Sequence, residues 1–229
     1  MKPHIVCHMM ASVDGRILVE RWRPPMRDTS LYEQVHDAIG GDAWLVGRVT
    51  GQEFVDRTEP YPSRADTSLP RENWFARADA EAWAIVVDAH GKIAWGMRDI
   101  DGDPIVVVLT TKVTDSHLAG LREDGVSYIF AGDDEIDFRA ALETLNAELG
   151  IERVMLEGGG GVNGSVLAAG LVDELSLLVC PTVDGSRESP SVFDVAGDTG
   201  TLPVTDMSLM SCEQMDGGFV WLRYRIANG

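Results

Sequence analysis

The residues best suited to chemistry in this chain sit where apolar runs stop. The clearest case is Val154-Met155-Leu156-Glu157-Gly158-Gly159-Gly160-Gly161-Val162-Asn163-Gly164. An apolar run ends in one acid, passes through four glycines and enters a segment of helical character. Glycine tolerates positive φ and lets the backbone approach a ligand closely. Between a strand and a helix, such a turn directs unpaired N–H groups outward, an arrangement suited to a phosphate. Gly159, Gly160, Gly161, Val162 and Asn163, closed by Gly164, satisfy the literal G-x-G-x-x-G string. A Rossmann site also needs a ribose-binding acid at the end of the next parallel strand. Here Asp173 and Glu174 open the next strand, and too little chain follows for a second mononucleotide half. The competing reading is a structural glycine turn without a ligand.

Gly47-Arg48-Val49-Thr50 has the same layout: a strand end, a glycine, then a helix start with a cation and a hydroxyl. Arginine can fork onto a phosphate there while the threonine caps the helix or donates to an oxygen. Two such starts together suit a pyrophosphate better than either alone. Ser12-Val13-Asp14-Gly15 follows the first strand, where ligands of α/β sheets gather, although Asp-Gly also makes ordinary turns. Glu157 is an odd neighbour for a phosphate. Either it turns toward backbone or substrate hydroxyls, or it is a core carboxylate satisfied by amides. His4, Cys7 and His8 do not form a metal site on this reading, because strand alternation puts Cys7 on the face opposite the two histidines. No G-x-S-x-G elbow or other nucleophile signature is present.

These groups need a frame, and the composition provides for one. Of 229 residues, 45% are hydrophobic, ample for a buried core. No apolar run is long enough to span a bilayer, and the N-terminus lacks the build of a signal peptide, so the expected location is cytoplasmic. A net charge of −18 argues against nucleic acid or an anionic membrane as partner. Only 3 of the 19 basic residues are lysine, which leaves anion binding largely to arginine. Cys7, Cys180 and Cys212 are too dispersed for a disulfide framework and read as small thiols in strands.

Periodicity predicts a first strand over 4–12, then a loop with Trp22 and the Pro24-Pro25 pair. A helix follows through Leu31, Val35 and Ile39, with a Ser30/Glu33 capping box and Gly40-Gly41 as its stop. Strands are expected at 43–46, 83–87, 105–109, 126–130, 153–156 and 174–180. Helices are expected after Gly47, around Leu118 and Leu121, along Phe138, Leu142, Leu145 and Leu149, and from Gly164 to Ala169. The charged, proline-bearing stretch 56–82 reads as a surface excursion from a single domain spanning 1–229. A turn-rich loop through Gly185, Gly197, Gly200 and Pro203 leads to a final hairpin about Met215-Asp216-Gly217-Gly218. The predicted class is α/β: a three-layer α/β/α arrangement on a mixed, mostly parallel sheet with a C-terminal antiparallel hairpin.

Ala11-Ser12-Val13-Asp14-Gly15-Arg16, Asp42-Ala43-Trp44-Leu45-Val46-Gly47-Arg48-Val49-Thr50, and Leu156-Glu157-Gly158-Gly159 followed by Gly170-Leu171-Val172-Asp173-Glu174-Leu175 together resemble the dihydrofolate-reductase-like superfamily. The nearest branch is the riboflavin-biosynthesis reductases, known also as the C-terminal domain of a bifunctional deaminase/reductase. The resemblance implies an NADPH-dependent reductase that forms homodimers and acts on a small molecule, 5-amino-6-(5-phosphoribosylamino)uracil or a related heterocycle. It implies cofactor roles for Ala11, Gly47, Arg48, Thr50, Thr110 and Gly159 to Asn163, with Thr111 and Lys112 beside Thr110. Ser12, Asp14, Gly15 and Glu157 fall on the substrate side, with Asp14 and Glu157 as the catalytic candidates. Gly51 to Thr58 departs from the usual Asp-x-Pro and arginine segment of those reductases. That departure leaves room for a pterin or other substrate, or for a non-catalytic NADPH-binding module.

Overall fold

A computed structural model describes residues 1–22, 30–63, 68–195, 202 and 204–227. In chain order the elements are β1 (His4–Ser12), α1 (Ser30–Ile39), β2 (Ala43–Gly47), α2 (Arg48–Glu53), β3 (Trp83–Val87), β4 (Asp99–Ile100), β5 (Asp103–Leu109) and α3 (Asp115–Asp124). They continue with β6 (Ser127–Phe130), α4 (Phe138–Leu149), β7 (Arg153–Leu156), α5 (Gly160–Ala168), β8 (Glu174–Cys180), β9 (Met207–Gln214) and β10 (Val220–Ile226). The class is α/β, mostly parallel with antiparallel strands at the C-terminus. The Pro24-Pro25 pair, part of the 56–82 excursion, and Gly197, Gly200 and Pro203 lie outside the described residues. Among the described residues no helix is long and apolar enough to cross a membrane.

The chain forms two compact units. The first comprises Met1–Pro3 and Asp42–Glu152. Its strands β2, β3, β5 and β6 pair in that order, all parallel, and two-residue β4 adds antiparallel to the start of β5. Ile105 to Leu109 is an unbroken run of buried residues, the pattern of a strand covered on both faces. Val86, Ile93, Val107, Leu118, Leu121 and Tyr128 belong to one core, where each buried aliphatic side chain contributes roughly 1.5–3 kcal/mol. Helices α3 and α4 start on side-chain caps: the Thr114 side chain accepts from His117 N, and that of Asp137 accepts from Ala140 N. Both end on left-handed glycines, Gly125 and Gly150. The excursion is tied to this unit by a bridge from Trp74 to Tyr128, by Arg71 to Asp115, and by the Tyr61 hydroxyl donating to Asp124 at 2.6 Å.

The second unit comprises His4–Gly41 and Arg153–Gly229. Strand β1 lies between β7 and β8, parallel to both, with Val6 opposite Met155 and Ala11 opposite Val179. β10 pairs antiparallel with β8, and β9 with β10. Trp22, 2% exposed, packs with Met10, Val35, Leu178 and Cys180 and so anchors α1 over this sheet.

The expected strands lie within two residues of the observed ones, and two larger differences stand out. β4 is too short to leave a periodic signal. Helix α5 starts at Gly160 rather than Gly164. Glycine has poor helix propensity, but here the missing side chains let another segment lie against the first turns, and tertiary packing overrides propensity.

Candidate active site

In the second unit the expected residues gather at the C-terminal ends of β1 and β7. Ser12 is buried. Its hydroxyl donates to Asp14 Oδ1 at 2.7 Å, and the same oxygen accepts from Arg16 N at 2.9 Å. Gly15, with φ +80°, closes the turn by donating from N to Ser12 O. Asp14 also accepts from the backbone of Asp184 at 3.0 Å and of Gly185 at 2.9 Å. The Ser12 hydroxyl first, then those two amides, hold the Asp14 carboxyl down at about 2. Asp14 therefore remains ionised at neutral pH and ties the turn to the 182–194 loop. Arg16 donates to Ser189 O at 2.8 Å, and its Nε is buried without a hydrogen-bond partner among the described residues. Ala11 is fully buried, so only its backbone is placed to meet a ligand.

The glycine run divides by function. Gly158 takes φ +99°, and the Gly158–Gly159 peptide bond is cis. Gly159 caps α5 without any side-chain hydrogen bond. A Cβ on Gly160 would strike Ser191 O, and one on Gly164 would strike Asp194 O. These two glycines admit the 191–194 loop against the helix. A Cβ on Gly161 would meet nothing within 4 Å, so this glycine faces open space. Val162 and Asn163 donate their backbone N–H groups to Gly159 O. The Asn163 side chain is buried and donates to Val192 O at 2.9 Å. The loop contacts the helix start through Asp194, whose carboxylate accepts from Ser191 N and from the Ser191 hydroxyl.

Glu157 accepts from His36 Nδ1 at 2.7 Å, and the Tyr32 hydroxyl is also within hydrogen-bonding reach of it. Of the two expected catalytic carboxylates, Glu157 bonds to side chains of α1, and Asp14 to its own turn and the backbone of Asp184 and Gly185. Tyr32 and His36 were not among the residues singled out in the sequence. The available signal was weak: they lie four apart on one face of α1, beside the Leu31-Val35-Ile39 stripe. His4 and His8 are both engaged as well, His4 Nε2 with Glu174 at 3.2 Å and His8 with Ser176 and Tyr32 O.

In the first unit, Gly47 caps α2 without a side-chain hydrogen bond and Arg48 is exposed. Thr50 is half-buried on the first turn. Asp88, at the end of β3, is raised by burial, and the charges of Arg48 and Lys92 oppose that rise. Its Oδ2 accepts from the backbone N–H of Lys92 and Ile93. Thr110 is buried and its hydroxyl donates to Ala89 O at 2.7 Å, whereas Lys112 is exposed and pairs with Asp134. Both expected cofactor turns thus begin helices on a glycine that offers no side-chain cap, the condition under which first-turn amides serve an anion. Among the described residues no cluster of histidine, cysteine and carboxylates could hold a metal ion.

In each unit a helix starts on an uncapped glycine at the end of a parallel strand, the place where ligands of α/β sheets bind. The model of the RibD C-terminal domain matches residues 3–221, and the chain belongs to that family. Among curated proteins it is similar to the 2,5-diamino-6-ribosylamino-4(3H)-pyrimidinone 5′-phosphate reductase of Methanothermobacter thermautotrophicus, 27% identical over 199 residues and covering 86% of each chain. The protein of the same name from Aquifex aeolicus is 24% identical over 201 residues, covering 86% of this chain and 84% of the other. Among solved structures, a pyrimidine reductase-like protein of Corynebacterium diphtheriae superposes with a TM-score of 0.71 at 20% identity, covering 99% of this chain and 93% of that one. The riboflavin biosynthesis reductase Rib7 of Saccharomyces cerevisiae gives 0.59 at 19% identity, over 99% and 90%. These structural likenesses establish a shared fold.

Proposed function

We propose that this chain is an NADPH-dependent reductase of riboflavin-biosynthesis type, acting on a 5′-phosphorylated ribosylaminopyrimidine. The observation that carries the reading is the family match from residue 3 to 221, reinforced by the reductase names of the curated relatives. Those names favour the diaminopyrimidinone form of the substrate over 5-amino-6-(5-phosphoribosylamino)uracil. When bound, NADPH would supply the hydride. The chain's own residues bind, orient and handle the proton. In the first unit, Gly47, Arg48 and Thr50, with Thr111 and Lys112, are the candidates for cofactor phosphate. In the second, the open face at Gly161 and the uncapped start at Gly159 suit the same role. On this reading Asp14 is an anchor for the 182–194 loop, because a carboxyl held at about 2 is a poor proton donor at neutral pH. Glu157 is the carboxylate assigned to the substrate, where hydride would add to C1′ of the ring-opened, imine-like ribosylamine as the C=N π bond breaks and a proton goes to the imine nitrogen.

Large exposed apolar side chains on β9 support a homodimer: Met207, Leu209 and Met210 are all exposed.

The test is a titration of NADPH into the purified protein, followed by turnover of both candidate pyrimidines. Saturable binding with reduction of one of them is the expected result. Arg48→Ala should weaken NADPH binding by about tenfold, the loss of one charge-assisted phosphate contact. Binding without turnover of either pyrimidine would instead favour a non-catalytic cofactor module, and no binding would end the reading.

A further inference from the structure

The surroundings of Glu157 say more than its presence at the strand end. Its side chain is 15% exposed, so a carboxylate there needs donors to offset lost hydration. Among the described residues, titratable groups face it from two elements. β1 presents Cys7 and His8, and α1 presents Tyr32 and His36. Burial, with the nearby Glu157 charge, keeps the Cys7 thiol protonated. The same two causes keep the Tyr32 phenol protonated.

His8 is fully committed to the fold. Burial lowers its pKa, so the ring is neutral. Nε2 faces the Tyr32 carbonyl at 3.2 Å, an acceptor, and must therefore carry the hydrogen. Nδ1 then accepts from the Ser176 hydroxyl at 3.0 Å, whose oxygen receives the Trp221 indole N–H at 2.8 Å. His8 also stacks on Tyr32, with ring centroids 4.2 Å apart. It thus holds the Tyr32 turn of α1 in place but has no proton left for Glu157. Tyr32 has one hydroxyl proton to share between the His8 carbonyl at 3.1 Å and Glu157. His36 is the remaining donor, 28% exposed and 2.7 Å from the carboxylate.

We propose that His36 is a positioning residue for the reduction: its Nδ1–H fixes the orientation in which Glu157 presents its carboxylate to the substrate, on a stretch of α1 pinned by the His8–Tyr32 stack. The proposal rests on the assignment of Glu157 to the substrate side. It requires that the effect of His36 on turnover run through Glu157.

The test uses the full chain, with His36→Phe, His36→Asn, Glu157→Gln and the double variant His36→Phe/Glu157→Gln. Misorienting a catalytic group by a fraction of an ångström lowers turnover strongly, so His36→Phe should reduce kcat about 10- to 100-fold. NADPH affinity, followed by nicotinamide fluorescence, should stay within about twofold, because Glu157 is assigned to the substrate and not to the cofactor. His36→Asn, whose amide N–H can donate to the same carboxylate, should recover kcat to within about threefold of wild type. In the Glu157→Gln background, His36→Phe should cost less than about threefold more, because coupled residues are non-additive. A readout independent of activity is the downfield Nδ1–H proton resonance of His36, expected in the wild type and lost in Glu157→Ala. Unchanged turnover in His36→Phe, no recovery in His36→Asn, or full additivity in the double variant would each overturn the proposal. A wild-type protein that does not bind NADPH would overturn the functional reading, and this proposal with it, and is distinguished by the silence of every variant alike.

Discussion

Asp14 and Glu157 follow the ends of paired strands β1 and β7, and their surroundings give them different work. Asp14 is solvent-exposed, yet it accepts from a hydroxyl and two backbone amides and spans from the first turn to Asp184 and Gly185. Its folded pKa, about 2, lies below the ordinary 3.8. A depressed carboxyl contributes stability that is present above its unfolded pKa and is lost as pH falls through the folded one. Asp14→Asn should therefore melt at a lower temperature than the wild type at pH 7, and the gap should narrow between about pH 4 and pH 2. Thermal melts of both proteins across that range measure it, and a gap that does not change with pH would refute the role of Asp14 in tying its turn to the 182–194 loop. Ser12→Ala should shrink the same pH-dependent part, because the Ser12 hydroxyl is the largest cause of the shift.

At the scale of elements, α5 carries two kinds of glycine. Gly164 is filled by the 191–194 loop, since its Cβ would strike Asp194 O, a backbone atom that cannot swing aside. Gly161 faces open space. Gly164→Ala should destabilise the fold by about 1–3 kcal/mol, the usual cost of overpacking. Gly161→Ala should leave stability unchanged or raise it by up to about 1 kcal/mol through helix propensity, while weakening NADPH if that face receives phosphate. Denaturant unfolding and a cofactor titration on the same two variants separate the roles. Equal effects of the two substitutions on stability would contradict this division. The sequence makes the glycine cluster visible but does not sort it, because the sorting comes from a loop some thirty residues further along the chain, which packs against it. β3, α4, β7 and β8 are legible to the residue because their signals are local: unbroken apolar runs or a 3.6-residue stripe. The His36–Glu157 pair joins residues 121 positions apart, and no periodicity reports such a meeting.

For the whole molecule, charge sets the terms of association. The chain carries 37 acidic against 19 basic residues, so two copies repel over most of their surfaces. β9 is an exception. It pairs only with β10 among the described residues, and of Met207 to Gln214 only Glu213 is charged. Natural edge strands are usually blunted with charge, whereas this one exposes Met207, Leu209 and Met210. An apolar, nearly uncharged edge on an acidic protein suits a second copy of itself better than an unrelated basic partner. The proposed homodimer should therefore tighten as salt screens the residual repulsion, opposite to an association held by ion pairs. Leu209→Glu places a like charge from each copy on the same edge and should convert the dimer to monomer in sedimentation equilibrium, with NADPH binding per chain unchanged. If the wild type sediments as a monomer at high salt, or if Leu209→Glu remains dimeric, β9 is not the surface that joins the copies.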